Sequence, residues 1–283
     1  MGAPRAGFDI WFKGGTSLSK GFGLIERFSE DVDVRLDAGS SGLTDPTLSW
    51  KNQKKGVPER DAWFDRIAAE ANVPDCTVTR DHAGSDRYQR AAAFQVAYPA
   101  LHAAQLPEAM RPFVLLEVGR ARVVPFVKRP LSSWVHDFLD RASQLTGLID
   151  NRPNAVQCIH PWVTALEKVE AIAKKFEKGK PAPDFVRHYE DVARILAAWD
   201  DLPSPTHNLP RLLQLLRDED KKPMPPASHP AFAPAEEAER WTEIQSAWDS
   251  IGPMFWGPRV PLEEACAPIR AFLEGLPSPS APE

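Results

Sequence analysis

Asp31 and Asp33 stand in "EDVDVRL", a run that alternates polar and apolar residues. Period-two alternation predicts a half-buried strand, on which residues two apart project from the same face. Two carboxylates side by side repel unless a positive charge lies between them. A magnesium ion, or a pair about 4 Å apart, supplies that charge where a triphosphate shares the oxygen ligand set. Upstream, Gly14 and Gly15 lead into Thr16 and Ser17. Glycines let backbone approach phosphate oxygens, and the following amides and hydroxyls are donors suited to them. Glu117, an acid inside the apolar run "FVLLEVG", offers a third carboxylate from a neighbouring strand. There it would help bind the metal and draw an attacking hydroxyl toward its nucleophilic form.

Each feature taken alone has an ordinary explanation. A Gly-Gly is commonly a turn, an Asp-x-Asp a solvated strand face, and a lone acid in a strand a guard against edge pairing. Their order is what favours chemistry: strand, Gly-Gly, helix, Asp-x-Asp strand, acidic third strand. Two other motifs fail on their own residues. "GGTSLSKG" has Ser19 where a P-loop needs glycine before the lysine, and Gly21 where it needs Ser or Thr. "DVDVRLDAG" puts Arg35 at a ligand position of a calcium loop and Leu36 at its obligatory glycine.

The stretch "FKGGTSLSKGFGLIERFSEDVDVRL" resembles the first motif of the AbiEii/AbiGii-type toxins, nucleotidyltransferase-like proteins with a polymerase-β-type fold. The match runs through Gly14, Gly15, Thr16, Leu18, Arg27, Phe28, Ser29, Asp31 and Asp33. The MenT tRNA nucleotidyltransferase toxins are similar relatives. The family usually has a helical segment before the motif strand, where this sequence has only a few residues. Two later segments, "ALEKVEAIAKKF" and "RHYEDVARIL", resemble the family's later motifs and carry over Lys168 and Asp191 as functional positions. The resemblance implies that Mg²⁺ or Mn²⁺ is held by Asp31, Asp33 and Glu117, with a nucleoside triphosphate gripped at Gly14, Gly15, Thr16 and Ser17. Lys168 would offset phosphate charge, and Asp191 would orient that lysine or Arg187. The implied activity is transfer of a nucleoside monophosphate to an acceptor hydroxyl, with a tRNA 3′ end as the acceptor and a cognate antitoxin as partner. A protein or small-molecule acceptor, and an inert module that sequesters a nucleotide or the antitoxin, are the alternatives.

Helical spacing agrees with part of this. Lys168 lies about 200° around its helix from Leu166, away from the stripe of Trp162, Leu166, Val169, Ala173 and Phe176. On the next helix Arg187, Asp191 and Arg194 share a face opposite Phe185, Tyr189, Val192 and Leu196. A solvated face with an Arg–Asp pair fits that pattern as well as a cleft wall does. Tyr189 falls on the apolar stripe and reads as core.

The elements that must position these residues fall into two groups. Strands are expected from Phe8, over the Asp-x-Asp run, and on either side of Gly119. Helices are expected over "SLSKGFGLIERF" and over Arg60 to Ala71, with helices predominating in the second half. The reading is an α+β chain: a mixed-sheet domain flanked by helices over residues 1–131, a helical domain over 132–276, and a disordered tail over 277–283. The net charge of −5 argues against a surface that coats nucleic acid throughout. A local track of Lys51, Lys54, Lys55 and the basic residues between Arg111 and Arg129 is the place an RNA end would lie. Three scattered cysteines without a CxxC argue against a disulfide scaffold or a cysteine-rich zinc site, and fit a reducing cytoplasm. No run reaches the roughly 20 apolar residues of a membrane span.

Overall fold

In the computed structural model the described residues are 9–29, 31–37, 54–85, 87–106, 111–119, 125–220, 223–234 and 238–277. Among them, seven strands and eight α-helices are present. The chain divides into two compact units. One comprises Met1–Phe22, Ser29–Val123 and Lys128–Cys158, and the other Gly23–Phe28, Val124–Val127 and Ile159–Glu283.

The first unit is organised by a mixed sheet. Its strands are β1 (Asp9–Lys13), β2 (Asp31–Asp37), β3 (Thr77–Asp81), β4 (Ala91–Ala97) and β5 (Phe113–Gly119), followed by the shorter β6 (Phe126–Arg129) and β7 (Val156–Ile159). The strand order is β3-β4-β5-β2-β1-β7-β6. β2 pairs antiparallel with β1 and parallel with β5, so it lies between the two strands that complete its polar face. Alternation does the sorting. Phe12, Val34, Val118 and Phe94 occupy one face and pack with Trp63 and Phe64 of α2 (Val57–Glu70). The intervening residues Lys13, Asp33 and Glu117 therefore project from the opposite face. The apolar face is what secures the register, because a one-residue slip of β2 would exchange its valines for its aspartates.

Helix α1 (Gly14–Lys20) starts directly at the end of β1 and stops at Gly21. It is earlier and shorter than the expected helix through Phe28. Gly21 and Gly23 each cost about 1 kcal/mol in a helix interior, and Gly23 takes a left-handed φ of 67° that ends any continuation. Residues 23–28 instead join the second unit, where Arg27 bridges Phe255 and the Phe28 amide donates to the Met254 carbonyl at 2.8 Å. α2 begins at Val57, ahead of the expected Arg60, behind Gly56 at φ 73° and with Pro58 in its first turn. Strands β3, β4 and β7 carry weak sequence signals. "AAAFQVA" is rich in alanine, a poor strand former, and "VQCI" spans only four residues. Helix α3 (Trp134–Arg141) is capped by Ser133, whose hydroxyl accepts from the His136 amide.

The second unit is helical, as its periodicity predicts: α4 (Pro161–Glu177), α5 (Arg187–Ala197), α6 (Leu209–Asp220), α7 (Ala238–Ser250) and α8 (Leu262–Glu274). Val169, Ile172, Phe185, Tyr189, Val192, Trp241, Ile244 and Ile269 form one buried cluster. Tyr189 is core, and its buried hydroxyl donates to the Ala231 carbonyl at 2.7 Å.

Phe94 has no exposed surface and packs on Phe64. Phe94→Ala is expected to destabilise the first unit by about 3–5 kcal/mol through lost burial and the cavity left behind. Urea unfolding followed by a probe in that unit measures the loss.

Candidate active site

One rung of the sheet carries most of the polar chemistry. Lys13 lies opposite Asp33 across the β1–β2 ladder, and Asp33 lies opposite Glu117 across β2–β5. Asp31 is two residues along β2, so it shares their face. Ligand oxygens of Asp31, Asp33 and Glu117 all lie within 4.8 Å of one another. Lys13 Nζ donates to Asp33 Oδ1 at 3.3 Å. The Ser29 hydroxyl donates to Asp31 Oδ1 at 2.7 Å, and the Thr16 hydroxyl to the Asp31 carbonyl at 2.5 Å. These bonds fix the start of β2 and steer one carboxylate.

Glu117 shows the strain of the arrangement. Partial desolvation, then the charges of Asp33 and Asp31, push its carboxyl above the usual range, and Lys13 relieves only part of this. A set of three crowded carboxylates with no sulfur or imidazole among them suits a hard divalent cation such as Mg²⁺ or Mn²⁺.

Gly14 has a use that its sequence context does not reveal. It adopts φ 68°, and a Cβ there would overlap the Asp33 carboxylate. The missing side chain thus makes room for a site residue. The Thr16 hydroxyl, expected to donate to phosphate, donates to the Asp31 carbonyl instead. Ser17, expected to do the same, is 1% exposed, with its hydroxyl buried and making no hydrogen bond among the described residues. What the Gly14–Ser17 turn offers outward is backbone, since the first amides of a helix have no partner within it.

Lys168 and Asp191 belong to the second unit, and the structure brings them together. Lys168 Nζ lies 2.9 Å from Asp191 Oδ2. Arg27 grips the same carboxylate with two bonds, Nε to Oδ1 at 2.8 Å and Nη2 to Oδ2 at 2.7 Å. Asp191 is wholly buried and Arg27 is 1% exposed, so the centre of this α5 face is not solvated, while Arg187 and Arg194 on either side of it are half-buried. The covering is the 23–28 segment, whose path helical spacing alone does not show. Burial would push the Asp191 carboxyl up, but the charges and hydrogen bonds of Arg27 and Lys168 hold it well below the usual range. His188 Nδ1 lies 3.2 Å from Lys168 Nζ. Burial, then the Lys168 charge, push the His188 pKa far down, so its neutral imidazole accepts from the ammonium. Arg194 pairs with Glu190 at 3.3 Å, which Arg259 also reaches at 3.3 Å.

The basic track is only partly within view. Lys51, Arg120 and Arg122 lie outside the described residues. Arg129 is used structurally: it donates to the Gly21 carbonyl at 2.7 Å and lies over Phe22. Sequence reasoning passed over Lys13 and did not recognise Arg27 as the partner of Asp191. Lys13 adjoins the glycine pair, but only the β1–β2 register puts it against Asp33.

A mixed α/β chain with three carboxylates converging on one sheet face, beside a glycine turn, has the features of a metal-assisted phosphoryl-transfer protein. Residues 6–264 match the family model described as "Nucleotidyl transferase AbiEii toxin, Type IV TA system". The match spans most of the chain, and the protein belongs to that family of toxin–antitoxin nucleotidyltransferases. Neither the comparison with curated proteins nor that with solved structures found a match. Among the described residues, no helix is long and apolar enough to cross a membrane.

Two outcomes are expected. Gly14→Ala combines left-handed strain with displacement of Asp33, so it should weaken Mn²⁺ binding by about tenfold or more while the helical unit unfolds as in the wild type; Mn²⁺ titration followed by electron paramagnetic resonance reads this. Asp191→Asn leaves Arg27 and Lys168 buried without their counter-charge, at a cost of about 3–5 kcal/mol near neutral pH. The folded pKa of Asp191 is depressed, so its contribution is complete above the unfolded carboxyl value of about 3.9 and shrinks as pH falls below it. Denaturation of both proteins at pH 7 and pH 3 measures the difference and its narrowing.

Proposed function

We propose that this protein is a metal-dependent nucleotidyltransferase of polymerase-β type, the toxin of a bacterial toxin–antitoxin or phage-defence pair, with a helical domain following its catalytic one. It moves a nucleoside monophosphate from a triphosphate to an acceptor hydroxyl, with a tRNA 3′ end as the acceptor class. The observation that carries this reading is the convergence of Asp31, Asp33 and Glu117 within 4.8 Å. Family membership supports it independently.

In this reading Asp31, Asp33 and Glu117 would hold Mg²⁺ or Mn²⁺, which would supply Lewis-acid stabilisation of phosphate charge. The backbone at Gly14, Gly15, Thr16 and Ser17 accepts the triphosphate. Glu117 would help hold the ion and bring the acceptor hydroxyl toward its nucleophilic form, a general-base-like role. That oxygen then attacks the α-phosphorus, the bond to the bridging oxygen breaks, and pyrophosphate leaves.

Lys168 keeps the role the resemblance gives it, offsetting phosphate charge, and Arg187 remains with it in the nucleotide-binding set. Asp191 and His188 orient the ammonium of Lys168 from two sides. Asp191 is fully engaged by cations, which suits a positioning residue better than a proton acceptor.

The test is incubation with each labelled nucleoside triphosphate, Mg²⁺ and total tRNA. Label should enter tRNA and fall by about 10³-fold or more in Asp31→Ala/Asp33→Ala. Label appearing in protein or small molecules instead would move the acceptor to those classes. No transfer at all, or growth arrest that persists in the double variant, would replace the enzyme with an inert binding module.

A further inference from the structure

Lys13 is the cation set into the acidic cluster by the fold. Strand pairing puts it on the rung of Asp33 and Glu117, and its ammonium hydrogen-bonds Asp33 Oδ1 at 3.3 Å. Its position is closely defined, because it is the last residue of β1 and the backbone turns at Gly14 immediately after it. The Lys13 side chain is 25% exposed and that of Asp33 18%. The pair therefore interacts more strongly than one in open water, without being sealed in.

The Lys13 ammonium bonds one carboxylate of a group of three whose ligand oxygens lie within 4.8 Å of one another. The oxygen Lys13 occupies belongs to one of the three prospective metal ligands. An ammonium and a divalent ion compete for it, and a divalent ion between three carboxylates has the larger Coulomb attraction. Lysine suits such an exchange. Its charge is a compact point on a flexible four-carbon stem, and it does not form the planar two-bond grip of arginine that Arg27 makes with Asp191. Once moved off Asp33, the same stem keeps the ammonium at the rim of the Gly14 turn.

We propose that Lys13 is a placeholder cation: it neutralises Asp33 while no divalent ion is bound, yields that oxygen to the ion, and then serves the phosphate chain of the incoming nucleotide. This rests on the reading of Asp31, Asp33 and Glu117 as a metal site. It makes Lys13 a specificity-determining residue that lowers affinity for the metal alone and raises affinity for the polyphosphate. A lysine that simply braced β1 against β2 would do neither.

The experiment uses the full chain and two probes besides turnover. Mn²⁺ binding is measured by electron paramagnetic resonance without nucleotide, and inorganic tripolyphosphate binding by calorimetry at saturating Mg²⁺. Lys13→Met and Lys13→Gln should bind Mn²⁺ about tenfold more tightly than the wild type, and tripolyphosphate about tenfold more weakly. Lys13→Arg should retain most of the tripolyphosphate affinity. Asp31→Asn/Asp33→Asn serves as the control for the site itself. Wild-type Mn²⁺ binding that this control leaves intact overturns the metal-site reading, and the Lys13 role with it. Binding that depends on the aspartates, but is unchanged or weakened in both neutral Lys13 variants, overturns the Lys13 role alone. Unaltered tripolyphosphate affinity does the same. Unfolding curves for each variant separate these outcomes from loss of the fold, since a neutral residue at position 13 that unfolded the sheet would mark Lys13 as structural.

Discussion

Repulsion among Asp31, Asp33 and Glu117 is the constraint around which the first unit is arranged. Their ligand oxygens lie within 4.8 Å of one another, and at Glu117 partial desolvation, then the charges of Asp33 and Asp31, push the carboxyl above its usual range. The fold holds them there by means that do not involve the acids themselves. Phe12, Val34, Phe94 and Val118 are buried beneath α2, and burying them fixes which residues of β1, β2 and β5 face the other way. Apolar burial on one face thus maintains electrostatic stress on the other. Gly14, Lys13 and Ser29 moderate that stress locally, by leaving space, supplying a charge and donating a hydrogen bond.

The second unit treats charge in the opposite way. Asp191 is buried with two cations on it, so a charge that would be costly alone is compensated. Its arginine partner uses both carboxylate oxygens, and its lysine partner is further engaged by a neutral histidine. Such a set is a poor acceptor of protons and a good holder of position. The acidic cluster crowds three carboxylates together, while in the buried cluster the one carboxylate of Asp191 is met by two cations. This difference separates the residues suited to bind a metal from those suited to orient a side chain.

Both arrangements lie within residues 6–264, which match the nucleotidyl transferase toxin family. Arg27 and Asp31 are four residues apart in one motif, yet the first packs in the helical unit and the second begins β2 of the sheet unit. A stretch that looks continuous in sequence therefore contributes residues to two compact units.

The alternation in "EDVDVRL" was enough to determine that Asp31 and Asp33 share a strand face, because side-chain direction follows from backbone geometry alone. Periodicity likewise identified the helical second half and the buried side of Tyr189, and Glu117 stood out as an acid in an apolar run. Boundaries near glycines were less legible: α1 stops at Gly21, and β4 is hidden by its alanines. Other features needed the tertiary structure, for a physical reason. The pairing of Lys13 with Asp33 depends on strand register, and Gly14's role on a side chain 19 residues away in sequence. The burial of Asp191 depends on an arginine 164 residues distant. Local sequence sets the direction in which a side chain points. Only the folded chain decides what it meets there, and so whether a charge is solvated, crowded or matched.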